Sequence, residues 1–327
     1  MATSPTLDTT APIATLLRTS LTDAHDRAST SDGAGWLTRG ELDREEYIRY
    51  SMMLYHVYNT FERAIEQHAT HPVLQPTYNP SLFARASSLA ADIAHLLQVP
   101  VSSWQSHPAH VELLANPPQV LTDYVSRIQF VATSDPQRLL AHSYVRYLGD
   151  LSGGQFIKRA LKKSFDLEDG DGVSFYEFKQ LGGTGSATIG DMKKIKEWYR
   201  DGMNAGVGDD VAVKEAILDE AVIAFDLNSA LFANLRAPSR PTASASPAPP
   251  LLGDPATPPE AHKSLPVQLQ EEEATTGTYR VASVIALVAA LSLSHFLLVL
   301  GGFTGVPGAA KLEAVQHWCA NQFAAAS

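Results

Sequence analysis

From Ile13 to about Leu235 apolar residues recur at three- and four-residue spacings, and no alternating run is long enough for a strand. A chain patterned this way buries its apolar stripes by packing helix against helix. The pattern falters at one place. In HSYVRYLGDLSGGQFIKRAL, residues 142 to 161, the apolar residues Leu139, Leu140, Tyr144, Tyr147, Leu148 and Leu151 lead in. Phe156, Ile157, Ala160 and Leu161 lead out, but Gly149, Gly153 and Gly154 stand between, with Asp150 and Ser152. A glycine inside a helix costs roughly 0.8–1 kcal/mol relative to alanine. Gly149 and Gly153 are i and i+4 and so share a face. A face without side chains admits a flat ligand close to the backbone, or a second helix, and it also permits a bend. The combined cost, roughly 2–3 kcal/mol, is large for a helix crossing that one small residue would allow. The stretch therefore reads as a bare binding surface with one carboxylate, Asp150, beside it.

Three other constellations could face that surface. In PIATLLRTSLTDAHDRAS, Ile13, Leu17, Leu21, Ala24 and Ala28 form an apolar stripe of one predicted helix, and His25 lies at its edge. A neutral imidazole there can ligate iron, although a lone histidine on an apolar face is more often a packed core residue. Arg18 lies two turns earlier, on about the same face, which suits a ligand with an apolar centre and an anionic edge. In KKIKEWYRDGMN, Lys196 and Arg200 stand i, i+4. They can clamp carboxylates or form a solvated face. In SMMLYHVYNTFERAIE, Tyr55, Tyr58 and Glu62 recur at helical spacing. With Tyr144, Arg146 and Tyr147 they can hold ordered water or simply pack with polar tips.

Punctuation sets the boundaries. TRGE, Thr38 to Glu41, reads as a capping box opening a long helix to about Gln67, and SDPQ, Ser134 to Gln137, as a second such start. THPVLQPTYNP, NPPQ and the glycine-rich Gly182 to Gly190 read as loops. The expected organisation is a short N-terminal segment, 1–10; a helical domain, 11–236; a Pro/Ala/Ser-rich linker, 237–278, too poor in apolar surface to offset its ordering entropy; a spanning segment, 279–303; and a tail, 304–327. VASVIALVAALSLSHFLLVLGGF, Val281 to Phe303, carries no Asp, Glu, Lys or Arg and meets the length of about 20 apolar residues that a bilayer requires. Arg280 weakly favours its N-terminal side as cytosolic. No signal peptide is apparent. The single cysteine, Cys319, excludes an internal disulfide or cysteine metal site, and a net charge of −10 argues against nucleic acid as a partner. No GxGxxG follows a strand, so no dinucleotide site is expected.

AHSYVRYLGDLSGGQ closely resembles the signature of the heme oxygenases. The likeness extends over roughly residues 11 to 236, through LTDAHDRA, LYHVYNTFE, YRDGMN and AFDLNSALF. The resemblance implies a single-domain all-α bundle that cleaves heme to biliverdin, carbon monoxide and ferrous iron. Heme b would be both substrate and cofactor, and O2 the co-substrate. Electrons would come from NADPH only indirectly, through a flavoprotein reductase. It implies His25 as the proximal iron ligand, with Gly149 and Gly153 against the distal face. Asp150 would hold a distal water network, with Tyr58 and Arg146 around it, and Arg18, Tyr144, Lys196 and Arg200 would meet the propionates. The linker and apolar segment resemble a membrane-anchored eukaryotic type, implying a monomer or weak oligomer on the endoplasmic reticulum, facing the cytosol. Two departures stand out: Thr22, where relatives carry a second basic residue, and Ser29, where they carry a glutamate near the histidine. The rival readings are a non-catalytic heme sensor or buffer, and a membrane-tethered scaffold that takes up no heme.

Overall fold

The computed structural model describes residues 9–167 and 170–239. The expected spanning segment, the tail with Cys319 and nearly all of the expected linker lie outside the described residues. Twelve helices follow one another among those described: α1 Ile13–Ser20, α2 Thr22–Ser29, α3 Asp32–Arg39, α4 Arg44–Gln67, α5 Pro80–Phe83, α6 Ala86–Leu97, α7 Pro108–Ala115, α8 Gln119–Ser134, α9 Leu139–Ser152, α10 Gly154–Ser164, α11 Ile189–Val207 and α12 Val211–Ala233. Among the described residues the β-structure is one isolated bridge, Lys179 to Ser186, so the all-α expectation holds there. No described helix is long and apolar enough to cross a membrane.

Two long helices carry most of the core. α4 packs on α6 and α8, and α12 packs on α9, α8 and α2. α4 buries Tyr50, Leu54, Val57, Tyr58, Phe61 and Ile65, and α12 buries Ile217, Ala221, Ala224, Phe225, Leu231 and Phe232. Each large apolar side chain so buried contributes about 1.5–3 kcal/mol. α9 lies against α12, α10, α11, α4 and α8, which explains why eleven of its residues are buried and why its sequence lacks a polar face.

Local chemistry redraws several boundaries. The first predicted helix is two. Thr19 and Thr22 bond their hydroxyls back to the carbonyls of Thr15 and Arg18, each at 3.1 Å, and such back-bonding bends helices. The break falls at Leu21, with φ −100° and ψ 5°. The expected stripe survives: Ile13, Leu17, Leu21, Ala24 and Ala28 are all buried. Thr38 does not open the long helix. Its hydroxyl bonds the Ala34 carbonyl at 2.9 Å within α3, Gly40 ends that helix at φ 67°, and Glu41 takes a fork from Arg39 at 2.7 and 2.8 Å. α4 starts only after Asp43. Ser134 likewise belongs to α8, bonding the Phe130 carbonyl at 2.8 Å, and Pro136–Arg138 form a single 3-10 turn before α9. The capping box that does form, Thr188 with Asp191, opens α11 at the end of the glycine-rich loop.

The glycine-broken stretch is a kink rather than a loop. Gly153 separates α9 from α10 but stays near helical geometry, φ −62° and ψ −33°, and its N–H reaches the Gly149 carbonyl. The N–H groups of Phe156 and Ile157 both turn to the Gly153 carbonyl, at 3.0 and 3.3 Å. Gly154 has a packing reason: a Cβ there would lie 2.8 Å from the Tyr176 ring.

Candidate functional site

Asp150 sits on α9 just before that kink, and the elements around it converge on its carboxylate. Tyr58, from the buried face of α4, donates its hydroxyl to Oδ2 of Asp150. Arg146, one turn earlier on α9, donates Nε to the Tyr58 oxygen at 3.0 Å and Nη1 to Oδ1 of Asn228 on α12. Its Nη2 lies 3.8 Å from Oδ1 of Asp150, and its guanidinium lies over the Tyr58 ring, 5.0 Å from the centroid. Phe175 closes the far side of Tyr58, edge-on at 5.2 Å. The result is a tyrosine from α4 with an arginine and a carboxylate from α9, braced by Asn228 of α12, and the arginine's charge is shared among several acceptors.

Electrostatics follow from that sharing. Burial raises the Asp150 carboxyl, and Arg146, the Tyr58 hydrogen bond and Arg85 offset the rise only in part, leaving it at about 6. A carboxyl at that value exchanges protons readily near neutrality. A cavity of about 40 Å³ opens beside it, lined by Tyr50, Gly149, Asp150, Gly154, Tyr176 and Asn228 among others. That is room for one or two water molecules. Gly149 and Asp150 thus line one space, whereas Gly153 is buried at the kink. Tyr124, on α8, keeps its hydroxyl buried without a hydrogen-bond partner among the described residues.

The remaining candidates are placed as follows. His25 lies on α2, half-buried, with Nδ1 3.1 Å from Oδ1 of Asp26. α2 and α9 both pack on α12. At the two departures the hydroxyls bond backbone carbonyls at 3.1 Å each, Thr22 reaching back to Arg18 on α1 and Ser29 to Asp26 within α2. Arg18 is exposed, and because α1 and α2 are separate helices it does not share one straight face with His25. Tyr144 and Arg200 are half-buried. Lys196 is not on a solvated face. It is buried, and its Nζ donates to the Ser152 hydroxyl at 3.3 Å, next to the kink.

Two residues near Asp150 were not singled out in the sequence. Asn228 is one of the polar residues buried on α12, with Lys214 and Glu220, and its place among the apolar residues of AFDLNSALF was the available signal. Arg85 had no such signal. It is buried, bonds the Leu82 and Phe83 carbonyls at 3.1 and 3.3 Å and that of Glu177, and exerts its charge on Asp150 from a distant part of the sequence.

Comparison with known proteins identifies the family. The family model described as Heme oxygenase matches residues 11–234. The chain is 32% identical over 216 residues to a heme oxygenase 2 of Synechocystis sp., covering 66% of this chain and 80% of that one. It is 34% identical over 221 residues to heme oxygenase 1 of Bos taurus, covering 67% of this chain and 70% of the relative. Among solved structures, Synechocystis heme oxygenase-2 in complex with heme and NO superposes with a TM-score of 0.60 at 31% identity, over 69% of this chain and 85% of that one. The heme oxygenase of Leptospira interrogans does so with 0.59 at 32% identity, over 69% and 100%.

Proposed function

The chain belongs to the heme oxygenase family and is a heme-degrading oxidoreductase, and from that premise we propose how its own residues divide the work. Bound heme supplies the iron at which O2 is reduced and the ring that is opened to biliverdin, with release of carbon monoxide and ferrous iron. His25 would be the residue that holds that iron. Asp26 at Nδ1 orients the imidazole and fixes Nε2 as the nitrogen with the lone pair, the usual second contact of a ligating histidine. Ser29 uses its one hydroxyl donor on the Asp26 carbonyl, and the carboxylate placed at Nδ1 is that of Asp26.

On the distal side, Asp150 holds a water in the cavity next to Gly149 and passes it a proton. Tyr58 and Arg146 fix the carboxylate's position, and Asn228 fixes Arg146. Gly149 would leave the wall of that cavity bare, and Gly153, buried at the kink, would allow the bend beside it. Arg18, Tyr144, Lys196 and Arg200 hold the propionates, with Lys196 contributing from its buried place beside Ser152. A flavoprotein reductase using NADPH delivers the electrons. Segment 281–303 anchors the chain in the endoplasmic reticulum membrane, supported by its length and lack of charge. Truncation after about residue 260 should then give soluble enzyme with full activity on an artificial reductant.

One observation carries the distal assignment: a buried carboxyl near pH 6, beside a water-sized cavity and a glycine. The test is to add one equivalent of hemin to the protein, then a reductase and NADPH. A sharp Soret band followed by biliverdin absorbance is expected. A Soret band without biliverdin would mark a sensor or buffer instead.

A further inference from the structure

A second and larger cavity, about 250 Å³, has no part in the chemistry above. It lies behind α9. Ser143 and Tyr147 line it, whereas Arg146, Gly149 and Asp150 of the same helix line the small cavity. Its volume corresponds to about eight water molecules, or to one substituted aromatic ring.

Tyr78, Phe83, Tyr147 and Tyr199 contribute four aromatic rings to its walls. Phe83 packs on Tyr147 at 4.9 Å and on Tyr199 at 5.2 Å, so the rings form a continuous surface. Asn59, Thr77, Asn79 and Ser143 bring groups that both donate and accept, and Glu62 is the half-buried carboxylate among them. The Tyr199 hydroxyl is buried, with the Ser143 and Thr77 hydroxyls as its neighbours. Glu62 presents a carboxyl already tied to the N–H groups of Arg85 and Ala86, at 2.5 and 3.2 Å. Those bonds fix its position yet use only part of its capacity to accept. Glu66 and Arg63, both exposed, stand at the rim.

We propose that this cavity is a binding site for a small, flat organic cation, such as an aromatic amidinium or ammonium. Ring faces attract a cation, and a donor-only ligand meets the acceptor capacity that Glu62 has left. A neutral ligand would leave the carboxylate's charge without a counterion in the cavity, and an anionic one would be repelled by it. The site touches α9 one turn before Asp150, so its occupant bears on the helix that carries the distal carboxylate without entering the space beside it.

The charge on Glu62 makes binding depend on pH. Burial raises its carboxyl to about 7, with the Arg85 and Ala86 N–H groups and the Arg85 charge working against the rise and Asp150 adding to it. Tyr147 and Tyr199 face it from α9 and α11, and both phenols are pushed up by burial, so they stay neutral. The cation needs the ionised carboxylate. Affinity should therefore be full above about pH 8 and fall as the pH drops through 7.

Calorimetry of the full-length protein with benzamidinium, at pH 8.0 and 5.5, tests this. One site per chain with sub-millimolar affinity at pH 8.0 is expected, about tenfold weaker at pH 5.5. Glu62→Gln should lose about tenfold at pH 8.0 and flatten the pH dependence. Ala84→Phe, which fills the cavity from a loop outside the distal network, should abolish binding while hemin uptake is unchanged. Unsaturable binding at pH 8.0, or wild-type affinity in Ala84→Phe, overturns the proposal.

Discussion

Two buried carboxylates, Asp150 and Glu220, sit on neighbouring helices and are held in opposite ways. Burial pushes both upward. At Glu220, hydrogen bonds and charge from His142 and Arg127 overcome that push and bring the carboxyl to about 2. Arg127 reaches it with a fork, at 2.9 Å through Nε and at 2.5 Å through Nη2; His142 Nε2 lies 3.0 Å away and Arg138 3.7 Å. Asp150 receives one phenol and shares one arginine, and it stays at about 6. The first arrangement locks a charge in place and has no proton to give. The second keeps a carboxyl close to the pH at which its proton moves. Depth of burial does not distinguish a structural carboxylate from a working one; the number of donors around it does.

The largest expected effect tests that distinction in catalysis. Asp150→Ala should bind hemin as wild type does, because no proposed iron or propionate contact is removed. Biliverdin formation should fall by about 10²–10⁴-fold, the range for a lost proton-transfer group. Oxidation of an external phenol driven by added peroxide should rise. A variant that makes biliverdin at the wild-type rate would place the proton source elsewhere.

Glu220→Ala should show the converse. Removing one partner of a buried ion pair costs about 3–5 kcal/mol, here by stranding Arg127 and His142. Urea unfolding should register that loss, whereas turnover per folded molecule should hold. If turnover collapsed with stability intact, Glu220 would belong to the reaction and the contrast with Asp150 would fail.

Parts of this contrast were legible in the sequence and parts were not. Asp150 showed because it interrupts a face otherwise stripped to glycine, and the buried stripe of α1 and α2 showed because apolar spacing survives a bend. The bend itself was hidden, since Thr19 and Thr22 act through hydroxyl bonds that periodicity does not register. Thr38 misled because a capping box is only a spacing until the glycine after it turns left-handed. Gly154 misled in another way: it clears the Tyr176 ring, a contact between residues far apart in sequence. Glu220 and Arg85 gave no signal, because their partners come from other helices.

A pH series separates the two carboxylates by sign. Glu220 ordinarily titrates at 4.5 and here at about 2, so its contribution, roughly 3 kcal/mol, is present above pH 4.5 and lost as the pH falls toward 2. Asp150 ordinarily titrates at 3.8 and here at about 6. The folded state holds its proton longer than the unfolded chain does, so stability falls by a similar order as the pH rises from about 4 to 6. Asp150→Asn cannot lose that proton. Its stability relative to wild type should therefore climb by about 2–3 kcal/mol between pH 4 and pH 7. A flat difference across that range in urea unfolding would mean that Asp150 is as well compensated as Glu220.

The smallest effect concerns the same pairing met at the surface. His25 and Asp26 repeat the contact of His142 and Glu220, at 3.1 Å instead of 3.0 Å, but the Asp26 side chain is 70% exposed whereas that of Glu220 is fully buried. An exposed pair adds little to stability, so Asp26→Asn should leave the urea midpoint unchanged. Its influence should appear at the iron. A carboxylate at Nδ1 makes the imidazole a stronger donor and favours the ferric state. Replacing it with a neutral amide weakens one hydrogen bond, about 0.5–1.5 kcal/mol, which corresponds to a rise in midpoint potential of about 20–60 mV for one electron. Potentiometric titration of the heme-loaded variant reads that shift directly. An unchanged potential would show that Asp26 does not act on the ligand, and a lowered urea midpoint would show that the exposed pair is structural after all.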